Sequence, residues 1–183
     1  DCIFHGDQGE YFEDSPADAT DLYGESKRLG EVTSPYSTII RSSFIGLQAH
    51  EASPMLLEWV IRQPEGASVN GYTNHLWNGT TAIVLGRVLA GMVSTRYSPA
   101  GTFHLVPNYE YSKLQLIRLI ADSFGRHDLE VIPFTPPTAV DRRLGTLCPE
   151  ISETLWGFVG ADVPRKLENS ILELAERRAR ERS

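Results

Sequence analysis

Cysteine is scarce. Cys2 and Cys148 are the two in the 183-residue chain, far apart and without C-x-x-C or histidine-rich neighbours. That excludes a disulfide framework and the usual zinc spacings, and it points to a reducing, cytoplasmic setting. No apolar run reaches the roughly 20 residues that a membrane-spanning helix needs. Positive charge is also short: 17 Lys and Arg face 24 Asp and Glu, for a net charge of -7. A general nucleic-acid or acidic-membrane surface needs clustered cations and is excluded on that ground. The cations that do cluster, Arg177, Arg178, Arg180 and Arg182, read as a solvated helix end that complements the helix dipole. His5, His50, His75, His104 and His127 have no ligand spacing, and no G-x-S-x-G nucleophile elbow occurs. Asn78-Gly79-Thr80 matches the glycosylation sequon, which carries almost no weight in a cytosolic chain.

What is present is an alternation of strand-like and helix-like segments in a chain that is 41% hydrophobic, enough for one substantial core. The alternation predicts a layered α/β protein. Asp1 to Gly6 reads as the end of a buried strand entering a glycine turn. Asp18 to Glu31 is predicted as a helix, with Leu22 and Leu29 available for burial and Asp14, Asp18 and Asp21 favouring the dipole at its start. Thr38-Ile39-Ile40 suits a buried parallel strand, and residues 42–46 leave its carboxyl end, where open parallel sheets gather ligands.

Further helices are predicted over 54–63, from Thr80 or Thr81 to about Val93, over 112–125 behind a Ser112/Gln115 capping box, and from Pro164 to Arg180. The last carries Leu167, Ile171, Leu174 and Ala175 on one side. Strands are predicted at 67–70, 101–106 and 129–132, the third cut short by Pro133. Gly71 to Gly79 reads as a polar turn. Beyond Pro137 the periodic signal weakens until the final helix.

Tyr23-Gly24-Glu25-Ser26-Lys27 is the most informative stretch. Four residues apart on a helix, Tyr23 and Lys27 leave the same face, so the ammonium can favour the phenolate and bring the phenol toward general acid/base use. Such a pair alone also fits an ordinary solvated helix face.

The flanks add to it: Cys2-Ile3-Phe4-His5-Gly6, then Gly9-Glu10-Tyr11-Phe12-Glu13, then Tyr23-Gly24-Glu25-Ser26-Lys27-Arg28-Leu29-Gly30-Glu31. This run resembles the middle of the extended short-chain dehydrogenases/reductases, in particular the dTDP-4-dehydrorhamnose reductase-like branch, which writes S-T-D-x-V-F-x-G, G-x-Y-x-E and Y-G-x-S-K-x-x-G-E. Ile40-Arg41-Ser42-Ser43-Phe44-Ile45-Gly46 and Gly101-Thr102-Phe103-His104-Leu105 resemble two later family stretches, and Asp141-Arg142-Arg143-Leu144 stands at the family's R-P-x-[NY]-[ST]-x-L segment. The family's Gly-rich dinucleotide turn, expected about a hundred residues upstream of Asp1, is not in this sequence. The chain therefore reads as the C-terminal half or more of a longer enzyme, and produced alone it is expected to self-associate and bind dinucleotide weakly.

The resemblance implies an α/β fold: the C-terminal part of a Rossmann-like parallel sheet in residues 1–46, then a smaller substrate-binding α/β subdomain with returning Rossmann elements in residues 47–183. It implies NADPH or NADH as cofactor and reduction of a nucleotide-linked 4-keto sugar. Tyr23 would protonate the carbonyl oxygen, and Lys27 would hold the nicotinamide ribose and tune Tyr23. Ser42, Ser43 and Phe44 would approach nicotinamide and sugar, and Arg143 the diphosphate. The implied partners are a nucleotide-sugar or other carbonyl substrate, with a homodimer left open. Two departures loosen the branch: Phe44 stands where the rhamnose-type reductases place Trp, losing an indole donor, and Arg142-Arg143-Leu144 lacks the usual Pro. Trp59, Trp77 and Trp156 read as packing residues. A sugar-nucleotide epimerase or dehydratase, and a non-catalytic NADP-binding regulatory subunit like the β subunit of methionine adenosyltransferase, remain open beside the reductase.

Overall fold

The computed structural model describes residues 1–48, 54–160 and 166–181. His50, Arg182 and the predicted helix start at Pro164 lie outside the described residues. The elements are, in order, α1 (Leu22–Leu29), β1 (Thr38–Arg41), β2 (Phe44–Ile45), α2 (Leu56–Ile61), β3 (Ser68–Tyr72), β4 (His75–Trp77), β5 (Thr80–Thr81) and α3 (Ala82–Thr95). There follow β6 (Gly101–His104), β7 (Tyr111–Ser112), α4 (Lys113–Ser123), β8 (Glu130–Phe134), β9 (Val140–Asp141), α5 (Pro149–Gly157) and α6 (Leu167–Glu181).

Parallel pairing dominates, as an α/β protein requires. β1 pairs with β6, β2 with β5 and β3 with β8, all parallel, while β4 lies between parallel β9 and antiparallel β7. β1 returns to a strand some sixty positions later, with Thr38 opposite Gly101 and Arg41 opposite His104.

The largest core gathers Leu57 and Val60 of α2, Val69 of β3, Leu116, Ile117 and Ile120 of α4, and Leu167, Ile171 and Leu174 of α6. Each helix supplies these at its three- and four-residue spacing, which is why the faces meet. The Ser112/Gln115 capping box is present at the start of α4, satisfying donors that the first turn leaves free. A second core joins Val84, Val88 and Met92 of α3 to Leu155 and Trp156 of α5. A third, smaller one holds Ile3, Phe4, Tyr11 and Leu144.

Several expectations are corrected. Residues 1–6 bury Ile3 and Phe4 but form a turn, with the Phe4 N–H donating to the Asp1 carbonyl, rather than a strand. α1 begins at Leu22, because Asp21 caps it by accepting from the Gly24 N–H at 2.8 Å, whereas Asp18 is engaged by the His5 N–H at 2.7 Å. Leu22 and Leu29 are 83% and 76% exposed, since none of the described elements packs on that side of α1. The 71–79 stretch contains β4, and α5 fills the stretch where the period faded; its Pro149 start and short length hide it from a periodicity argument. β8 runs through Pro133, opposite Gly71, because among the described residues β8 pairs on one side alone and the missing N–H costs no ladder bond on the other edge. The arginine-rich end is not wholly solvated either: Arg178 reaches the buried Glu58.

Candidate active site

Two segments build the site: α1, which carries Tyr23 and Lys27, and β1 with the residues that leave it. Gly24 is what lets α1 lie close to residues 1–3, since a Cβ there would stand 2.5 Å from the Cys2 carbonyl oxygen. On the helix, the Lys27 Nζ sits over the Tyr23 ring, 5.2 Å from its centroid. Tyr23 is 56% exposed, so the phenol is open to a ligand. Among the described residues Lys27 has no carboxylate partner, which leaves its ammonium donors available. Tyr23, Lys27, Ser42 and Phe44 line one cleft of about 570 Å³ between α1 and β1, with Cys2 at its side.

Arg41 holds this cleft together. Its Nε and Nη2 donate to the two carboxylate oxygens of Glu31 at 2.8 Å each, in the bidentate geometry that makes Arg–carboxylate pairs strong. Its Nη1 donates to the Glu13 carbonyl at 3.1 Å, and the guanidinium lies over Phe4, 5.6 Å from the ring centroid. The pair is largely shielded, at 12% and 18% exposure. It ties the end of α1 to β1, so Arg41→Met should free Glu31 and destabilise the protein by about 2 kcal/mol. Thermal melting checks this, and an unchanged midpoint would count against the clamp.

Glu13 fastens the adjoining segment. Its carboxylate accepts from Thr146 Oγ1 at 2.6 Å, the Leu147 N–H at 2.7 Å and the His104 N–H at 2.9 Å. Burial favours its neutral form, but those hydrogen bonds outweigh burial and hold its pKa below the usual value. Tyr11 stacks on Phe4 at 4.3 Å and takes the Gly6 N–H on its hydroxyl. His104 is fully buried, with Nδ1 2.8 Å from the Gly145 carbonyl oxygen, which selects the tautomer protonated at Nδ1; burial lowers its pKa and keeps it neutral.

Ser43 and Arg143 stand apart from the other expected site residues. Ser43 is buried, and its hydroxyl accepts the indole N–H of Trp77 at 2.5 Å. Alternation along an extended chain turns Ser43 away while Ser42 and Phe44 face the cleft. Arg143 does not line the cleft. Its guanidinium is bound by Asp141, at 2.7 Å from Nη2, and by Glu110 at Nη1. Hydrogen bonds to Asp141 and then to Glu110 raise its pKa still further, and although burial alone would raise the pKa of Asp141, Arg143 holds it down. Glu13, Glu31 and Arg41 were not singled out from the sequence. Their signal lay in the motifs themselves, as the last letters of G-x-Y-x-E and of the Tyr/Lys block and as the Arg of I-R.

No protein-family model and no curated protein sequence matches the chain. Solved structures do. A dTDP-4-dehydrorhamnose reductase from Clostridium acetobutylicum aligns with a TM-score of 0.67 at 19% identity, over 97% of this chain and 63% of that one. The chain has the same fold. The dTDP-4-dehydrorhamnose reductase of Bacillus anthracis, solved in complex with NADP, aligns with a TM-score of 0.66 at 16% identity, over 96% of this chain and 62% of that one. The dTDP-glucose 4,6-dehydratase of the same organism, solved with NAD, gives 0.60 at 14% identity, over 96% and 57%. The chain thus spans somewhat less than two thirds of the length of these reductases. Mixed α/β structure with parallel strand pairs is the Rossmann-like architecture that they share with it.

Proposed function

We propose that the protein is a nicotinamide-dependent oxidoreductase of the extended short-chain type that reduces the carbonyl of a nucleotide-linked 4-keto sugar. The observation that carries this reading is the joint lining of one open cleft by Tyr23, Lys27, Ser42 and Phe44, from segments that the sequence separates by some fifteen residues. A fold shared with reductases and dehydratases of nucleotide sugars supports it. In this reading residues 1–46 belong to the dinucleotide side and residues 47–183 mainly to the substrate side.

The residues present fit the nicotinamide end of such a cofactor: an exposed phenol, a lysine without a carboxylate partner among the described residues and a half-exposed aromatic ring on one wall. A bound NADPH or NADH would supply the hydride. Lys27 would hold the ribose hydroxyls through its ammonium donors, and it places positive charge beside the Tyr23 ring. Tyr23 delivers its hydroxyl proton to the substrate's carbonyl oxygen as that oxygen becomes an alkoxide, so no free oxyanion has to form. Phe44 packs against a ring face and helps keep water from the reacting carbonyl. Arg143, held by two carboxylates, serves here to fasten its own segment rather than to bind a diphosphate.

The test is a turnover assay on the full-length protein with NADPH, NADH and a dTDP-linked 4-keto sugar, following loss of the reduced nicotinamide. Consumption of one nicotinamide per sugar reduced is expected. No oxidation of the reduced cofactor by the keto sugar, together with conversion of a dTDP-linked hydroxy sugar in the presence of NAD and without net cofactor change, would replace the reductase by an epimerase or dehydratase. Tight NADPH binding without any turnover would replace it by a regulatory subunit.

A further inference from the structure

The four residues Trp77-Asn78-Gly79-Thr80 form a junction in which each residue has a separate task. The Asn78 side chain pairs with the backbone of Leu144 in both directions, Nδ2 donating to its carbonyl and Oδ1 accepting its N–H, each at 2.8 Å. Asn78 is 8% exposed, so this sequon is a buried clasp and not a glycan acceptor. Gly79 has no room for a side chain: a Cβ would stand 2.2 Å from Trp77 Cζ2 and 2.3 Å from the Ser43 carbonyl oxygen. The Thr80 N–H donates to that same carbonyl at 2.8 Å, and Thr80 pairs with Phe44 in the β2–β5 register. Trp77 completes the hold by donating its indole N–H to Ser43 Oγ.

Ser43 is therefore gripped at its carbonyl and at its hydroxyl from one side, while its neighbours Ser42 and Phe44 form the wall of the cleft that holds Tyr23 and Lys27. We propose that Trp77 is a positioning residue, which seats Phe44 and Ser42 in that wall by donating its indole N–H to Ser43. The ligand side of this inference rests on the proposed function; the mechanical side does not. It also gives a second meaning to Phe44. An indole donor is present at this wall, but it comes from β4 beneath the chain and binds Ser43.

Three variants of the full-length protein test it: Trp77→Phe, which keeps a ring and loses the donor, Ser43→Ala, which loses the acceptor, and the pair combined. The first readout, without ligand, is amide hydrogen exchange of residues 42–46. Each single variant should speed exchange there several-fold and leave the core between α3 and α5, which Trp77 does not join, unchanged. The second is NADPH affinity from nicotinamide fluorescence, which should weaken roughly three- to tenfold, the worth of one buried hydrogen bond. The double variant should be no worse than either single one, because both remove the same bond. Unchanged exchange at 42–46, unchanged NADPH affinity in a protein that binds it, or additive effects would each overturn the inference and leave Trp77 as packing alone. A wild-type protein that binds neither NADPH nor NADH would sink the proposed function, and the exchange data would still decide whether Trp77 holds the segment.

Discussion

Replacing Tyr23 with Phe should lower kcat by about 10²- to 10⁴-fold while leaving the affinity for NADPH within a factor of about two. That span is what a positioned general acid contributes to a proton transfer. Tyr23→Phe removes the hydroxyl and keeps the ring, so the contact with the Lys27 ammonium at 5.2 Å persists and α1 has no reason to move. The two members of the pair should separate in kinetics. Lys27→Met removes the donor proposed for the ribose, so it should weaken NADPH binding as well as slow turnover. Steady-state rates of both variants, together with nicotinamide fluorescence titrations, check this. Full activity in Tyr23→Phe would remove Tyr23 from the mechanism whatever the fold.

The largest effect on stability should come from Arg178→Met. Glu58 is nearly buried, at 4% exposure, and two arginines compensate it: Arg178 Nη1 at 2.6 Å and Arg62 Nε at 3.1 Å. Arg178 comes from α6 and is itself 14% exposed, so the pair links α6 to α2 across 120 positions. Its removal leaves the Glu58 carboxylate in the interior with the half-exposed Arg62 alone. Breaking a buried pair from one side costs about 3 kcal/mol, which for a chain of this size lowers the melting temperature by roughly 6–12 °C.

The pH dependence follows from the same pair. Burial alone would raise the pKa of Glu58, but the hydrogen bond and charge of Arg178, followed by those of Arg62, outweigh burial and hold it below the usual 4.5. A carboxylate with a depressed folded-state pKa stabilises above its unfolded value and loses that contribution as pH falls through the folded one. The wild-type protein should therefore lose stability as pH drops below about 4.5, in part through Glu58, and Arg178→Met should show a shallower acid limb. Melting curves across the acid range would decide it. A variant as stable as wild type would mean that water reaches Glu58.

Much of the helical frame was legible in residues. The 3.6-residue spacing of Leu167, Ile171 and Leu174 marked α6, and Ser112 with Gln115 marked the start of α4 by the capping chemistry that the structure contains. Short strands were harder to read. β4 and β9 are three and two residues long, below the length at which alternation can be distinguished from a turn. Pro133 misled for a related reason, because whether proline ends a strand depends on which edge is free, and that depends on the partner strand. At the candidate site, Tyr23 and Lys27 needed nothing beyond helix geometry to be paired. Arg41 and Glu31 are ten positions apart with a turn between them, so no local spacing rule joins them.

By itself the sequence determined the α/β class, the main helices, and a tyrosine and a lysine on one helix face, because each rests on contacts within a few residues along the chain. Only the tertiary structure decided which neighbours face the cleft. Ser42 and Phe44 enter it and Ser43 does not, because β5 and Trp77 take Ser43 from below. It also decided that Arg143 spends its charge on Asp141 and Glu110, and that Arg178 is drawn from a charged tail into the core. Charges and hydroxyls choose partners by distance in space, and that distance is set by packing among elements far apart in the chain.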